Sequence, residues 1–215
     1  MKQPYSIFVE GVADKRFISQ LITVLFGGNV ADDSIIVTDG WKSLVTQAKE
    51  NLYINQMNKT SDNGGVNLVV FDADDDVDSR RSELLSWKEE HGVDFELFLL
   101  PDNHNPGELE DLLESIINPE NKPVLDCWND YEKSLGKVSI PWRDGVPLTI
   151  PAKKTKIYAY LESLLGKSRK QKELIKENKR DYTNENHWNL KAEAIEQLVI
   201  IADVTSQPTH LIHTI

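Results

Sequence analysis

The chain has 215 residues, 40% of them apolar and 27% charged, which fits a folded domain and excludes a disordered one. That length predicts one large domain, or a domain with an appendage, able to bury a core without staples. The opening MKQPYSIFVEG lacks the apolar stretch of a signal peptide, and no run approaches the ~18 apolar residues of a membrane span, so no membrane association is expected. The single cysteine, Cys127, rules out an internal disulfide and a cysteine-rich zinc site, and a reducing, cytoplasmic setting follows as the expectation. Net charge is 24 − 35 = −11, which counts against broad coating of nucleic acid. The charge is unevenly spread: Asp72–Glu114 holds 15 acidic and 3 basic residues (−12), and Lys153–Arg180 holds 10 basic and 3 acidic (+7).

Taken in chain order, four short apolar runs read as buried strands: Ser6–Val9, Ile35–Thr38, Asn67–Phe71 and Phe95–Leu100. They are rich in Val, Ile, Leu and Phe and lack the polar alternation of a one-sided sheet. Helical patterns lie between them. Asp14–Leu25 places Phe17, Ile18, Leu21, Ile22 and Leu25 on one stripe; Trp41–Asn55 and Asp78–His91 follow. Alternating strand and helix predicts an α/β fold, a Rossmann-like parallel sheet with helices on both faces. Asn105-Pro106-Gly107-Glu108 reads as a helix start with Asn105 as N-cap, leading into the apolar face Leu109, Leu112, Leu113, Ile116 and Ile117. Beyond residue 118 the pattern becomes mainly helical: Val124–Leu135, Lys156–Leu165 and Ala192–Ile201, with a Pro/Gly-bearing connection at Ser139–Pro151. The division expected is an α/β domain at 1–117 and a helical C-terminal extension at 118–215, either separate or packed on the same core.

Carboxylates stand at the strand ends. Glu10 follows SIFV and precedes Gly11; Asp72 and Asp74 follow NLVVF. In an open parallel sheet the ligand crevice lies beyond the carboxyl ends of the strands, so these groups share one edge. Clustered carboxylates raise one another's pKa unless a cation neutralises them, and oxygen-only ligands suit Mg²⁺ or Mn²⁺. Asp75, Asp76 and Asp78 are read instead as loop solvation and a helix start, where acids favour the dipole.

FVEGVADKRFI followed by VVFDADDD resembles the Toprim domain of topoisomerases, bacterial primases, small RNA-maturation nucleases and OLD-family nucleases. The matching positions are Glu10-Gly11 and Asp72-x-Asp74; Asp14 fits the Glu-Gly-x-x-Asp spacing, and VTDGWKSL resembles the turn after the second Toprim strand. The resemblance covers about residues 5–115. LLPDNHNPGELEDLL, KTKIYAYL and DYTNENHWNL further resemble a small stand-alone Toprim-like family of uncharacterised prokaryotic proteins. In OLD-type nucleases a further acid and a lysine complete a two-metal site. By that resemblance Glu110 is the acid, and Lys154 or Lys156 the lysine, with Lys156 the one assigned.

The resemblance implies Mg²⁺ (or Mn²⁺) held by Glu10, Asp72, Asp74 and Glu110, with Glu10, Asp72, Asp74 and Lys156 as catalytic residues of a metal-dependent nuclease. Two divalent ions ~4 Å apart stabilise both the attacking and leaving oxygens of phosphoryl transfer. The Lys153–Arg180 stretch would contact nucleic-acid phosphates, or else form a solvated face. Strand passage and priming are not expected, because the extra domains they need are absent. Two other readings stand beside the nuclease. One is a non-catalytic Toprim-like protein that binds phosphate or a partner, such as an ATPase. The other is a small-molecule phosphatase or phosphotransferase. His210 and His213 read as an incidental tail, Cys127 as a packing residue, and the five tryptophans as core or interface anchors.

Overall fold

The computed structural model of the protein describes residues 4–27, 30–45, 47–196 and 198. Four parallel strands, β1 (Tyr5–Val9), β2 (Ile35–Val37), β3 (Val66–Asp72) and β4 (Glu96–Leu100), form one sheet in the order β2-β1-β3-β4. The strands fall where the apolar runs predict them. The sheet reverses its winding at β1, which pairs with β2 on one side and β3 on the other.

The pleat divides the core. Ile7, Val9, Leu68, Val70, Phe98 and Leu100 face one layer, and Phe8, Val69, Phe71 and Leu99 the other. The second layer is covered by α2 (Trp41–Val45), α3 (Gln47–Asp62) and α4 (Val77–His91), through Leu44, Tyr53, Met57, Leu84 and Trp87. Helices α2 and α3 occupy the predicted Trp41–Asn55 segment and run on to Asp62; residue 46 lies outside the described residues.

The first layer holds α1 (Val12–Phe26) and α5 (Leu109–Ser115), and then residues from the C-terminal half. After α6 (Lys122–Leu135), α7 (Lys153–Leu165) contributes Ile157, Tyr160 and Leu161; α8 (Arg169–Ile175) contributes Ile175; the following chain contributes Tyr182, Trp188, Leu190, Ile195 and Leu198. The extension is therefore packed on the same core as the sheet. Gln20 on α1 fastens it: its side chain donates to the Arg180 carbonyl and accepts from the Tyr182 amide. Tyr182 packs edge-on against Phe17, with ring centroids 5.3 Å apart.

Several expectations are corrected. Asn105 does not cap α5; it is drawn into a turn by Asp102, whose Oδ1 accepts from the Asn105 amide. Glu108 takes the N-cap position, and its amide donates to Asp111 Oδ2 at 2.8 Å. Cys127 lies exposed on α6 instead of packing inside. Of the tryptophans, Trp87 and Trp188 are core residues, whereas Trp142 on the Ser139–Pro151 connection is largely exposed. Most of the predicted Ala192–Ile201 helix, with His210 and His213, lies outside the described residues. Among the described residues no helix is long and apolar enough to cross a membrane.

Candidate functional site

The carboxyl ends of β1 and β3, adjacent in the sheet, bring Glu10 and Asp72 side by side. The Asp72 amide donates to Glu10 Oε1 at 3.1 Å. Asp72 in turn meets the start of α5, accepting from the Leu109 amide through Oδ1 at 3.0 Å. Asp14, one turn into α1, folds back so that its Oδ2 accepts from the Gly11 amide at 2.8 Å. Helices α1 and α5 thus begin the same way, with an aspartate at the third helical position satisfying the N-cap amide.

These elements enclose an open cleft of about 500 Å³, lined by Glu10, Asp14, Asp72, Glu108, Glu110, Lys154 and Glu177 among others. The β3–α4 connection is tied to the α5 loop by two backbone bonds between Asp74 and Gly107, at 2.9 and 2.7 Å. Gly107 is required there: its φ is +148°, and a Cβ would stand 2.5 Å from Asp111 Oδ2.

Burial and mutual repulsion set the electrostatics. Asp72 is pushed up to about 8, first by burial and then by the charges of Asp14 and Glu10, against the opposing Leu109 amide. Asp14 rises to about 7, chiefly by burial, with Glu10 and Glu110 adding to it and the Gly11 amide opposing. Burial also raises Glu10, against the Asp72 amide and Arg80, and raises Glu110, with Glu108 adding and Arg180 and Lys154 opposing. Four carboxyl groups therefore share one field with too little positive charge.

The predicted residues divide. Glu10, Asp72 and Glu110 come together, joined by Asp14. Asp74 does not line the cleft. Its backbone turns through φ +51°, and its half-exposed carboxylate is paired with Arg80. Lys156 is a correction. It points away from the acids, bonding Glu114 at 2.6 Å and Asn129 at 2.8 Å, because two residues along a helix place it nearly opposite Lys154. Lys154 is the lysine on the cleft wall, and it is paired with Glu177.

The basic stretch is also largely engaged. Lys153, Lys154, Lys156, Lys172, Lys176 and Lys179 each pair with an acid, and Arg180 is buried, donating to the Ile175 carbonyl. Two arginines at the site were not anticipated from sequence. Arg80 is buried beside Glu10 and Asp74 and stacks on Trp41, with its guanidinium carbon 4.3 Å from the ring centroid. Arg180 is buried and its charge opposes the rise of Glu110. Sequence distance hides both, since only the packing of α4 and of residues 169–182 brings them here.

A family model described as a protein of unknown function, DUF3226, matches residues 4–201. The chain belongs to the DUF3226 family. No curated protein and no solved structure gives a match. The match spans the sheet and the C-terminal helices alike, in keeping with the shared core of this DUF3226 chain.

The donor set is all oxygen, as hard divalent cations require, and its raised proton affinity marks negative charge that a cation would neutralise. Among the described residues no group of three or more acidic, imidazole or thiol side chains stands close enough together to hold a metal ion.

Proposed function

We propose that this DUF3226 chain is a Toprim-type nuclease that cleaves phosphodiesters with Mg²⁺ or Mn²⁺. The observation that carries the reading is the convergence of Glu10, Asp14, Asp72 and Glu110 at the carboxyl edge of a parallel sheet, with Asp72 and Asp14 pushed up to about 8 and about 7. Glu10 and Asp72 would hold the ion, with Glu110 in the same cleft. A divalent ion supplies charge neutralisation at the scissile phosphate and lowers the pKa of a bound water. Asp14, pushed up to about 7, is suited to accept or deliver a proton at the reacting oxygens, and burial raises Glu110 in the same direction. Lys154 on the wall offsets charge once it is released from Glu177.

The test is incubation of the protein with plasmid, single-stranded DNA and RNA, with Mg²⁺ or Mn²⁺ and with chelator. Metal-dependent cleavage is expected, and Glu10→Gln and Asp72→Asn should each reduce it by ~10²-fold or more. Cleavage that survives both substitutions refutes the assignment.

A second reading is supported by one observation: most of the basic stretch is engaged internally rather than presented to a ligand. In that reading the same cleft binds a phosphate-bearing ligand without cutting it, alongside a partner such as an ATPase. Metal-dependent binding without turnover, together with co-purification of the partner, distinguishes it.

A further inference from the structure

Arg80 carries an unmet hydrogen-bonding capacity at the edge of the cleft. It is only 6% exposed, yet its Nη1 has no hydrogen-bond partner. Nη2 pairs with Asp74, and the guanidinium face lies on Trp41, so the plane is fixed from two directions. The free edge looks towards Glu10, with Nη1 3.8 Å from Oε1, beyond hydrogen-bonding distance. At that separation Glu10 lends Nη1 an opposite charge but no hydrogen bond, while the same oxygen accepts from the Asp72 amide. A buried charged donor without an acceptor costs at least ~1–3 kcal/mol. A group that supplies an acceptor there would recover that cost.

Arg180 provides the contrast. Its Nη2 is also buried and unpartnered, but the side chain is 1% exposed and covered by Tyr158 and Tyr182. Arg80 instead abuts Glu10, which lines the opening.

We infer that Arg80, held flat by Trp41, forms an anion subsite at the Glu10 rim of the cleft and receives an oxygen of a phosphate group on the ligand. The planar guanidinium fork suits phosphate oxygens, and a fixed plane reduces the entropy lost on binding. Glu10 and Asp74 would repel a phosphate by themselves, so occupancy depends on a divalent cation that neutralises the acids. The inference rests on reading the cleft as a phosphate-handling site, but it requires no bond cleavage.

The probe is inorganic phosphate titrated into the full chain, with and without Mg²⁺, followed calorimetrically. Binding that requires Mg²⁺ is expected, weakened about tenfold by Arg80→Lys, which keeps the charge and loses the fork. Arg81→Lys, altering a neighbour that bonds Asn103, should leave it unchanged. No phosphate binding by the wild type, or a change below threefold in Arg80→Lys, overturns the subsite. If the variant does not fold, the wild type decides. The Arg80 Nε–H resonance, assigned through its contact with the Trp41 ring, should move during the Mg²⁺–phosphate titration, and an unmoved resonance overturns the proposal. Arg80-dependent phosphate binding in a protein that cuts no nucleic acid leaves the subsite standing and removes the nuclease reading. Cleavage without phosphate binding at Arg80 does the reverse.

Discussion

Replacing Asp72 by Asn should stabilise the protein at alkaline pH while removing its response to divalent metal. In the fold Asp72 binds its proton up to about 8, against an ordinary value of 3.8. The folded state therefore binds more protons than the unfolded chain between those values, and stability falls as pH rises through that window. The slope for one such group is at most ~1.36 kcal/mol per pH unit, so from pH 5 to pH 8 the ceiling is ~4 kcal/mol. Asp14 and Glu10 share the field, and a proton on one relieves the others, so about half of that, ~2 kcal/mol, is expected from a single substitution. Asn retains an oxygen for the Leu109 amide, so the start of α5 keeps its acceptor. The assay is urea unfolding of wild type and Asp72→Asn at pH 5 and pH 8, with EDTA and with Mg²⁺. The variant's advantage should grow by ~2 kcal/mol between the two pH values in EDTA. Mg²⁺ should stabilise the wild type and not the variant. A variant less stable than wild type at pH 8, or an advantage that does not change with pH, would refute the argument that Asp72 is an under-neutralised acid.

Lys156→Ala should lower stability by ~1–3 kcal/mol in urea unfolding, by stripping Glu114 and Asn129 of a shared donor, while any metal-dependent activity changes less than twofold. Trp188→Ala should cost ~3–5 kcal/mol, because the ring is 1% exposed and packs against the rings of both Tyr160 and Tyr182. Thermal unfolding of that variant should remain a single transition seen alike by near- and far-UV dichroism, since sheet and extension share one core. Gly107→Ala should destabilise by more than the ordinary ~1 kcal/mol of a Gly→Ala change at positive φ, because the added methyl meets Asp111; chemical denaturation measures it.

The sequence by itself determined the sheet. Runs such as NLVVF and SIFV are apolar on both faces, and a strand buried on both sides is what such a run can satisfy, so β1 to β4 fall where the pattern puts them. Strand ends are local features too, and the rule that parallel strands present their carboxyl ends to one edge made Glu10 and Asp72 legible as neighbours. Helix rotation was less legible. Lys154 and Lys156 differ by two positions, and only the packing of Ile157 and Leu161 into the core turns Lys154 to the acids and Lys156 to Glu114. The Asn105 cap does not form because Asp102 takes its amide, in a turn whose hydrogen bonds the periodic pattern does not encode. Most of all, the tertiary structure decided the counter-charges. Arg80 comes beside Glu10 from α4, and the charge of Arg180, from the far end of the chain, is felt at Glu110; both arise from layers closing over the sheet, not from any spacing in the sequence.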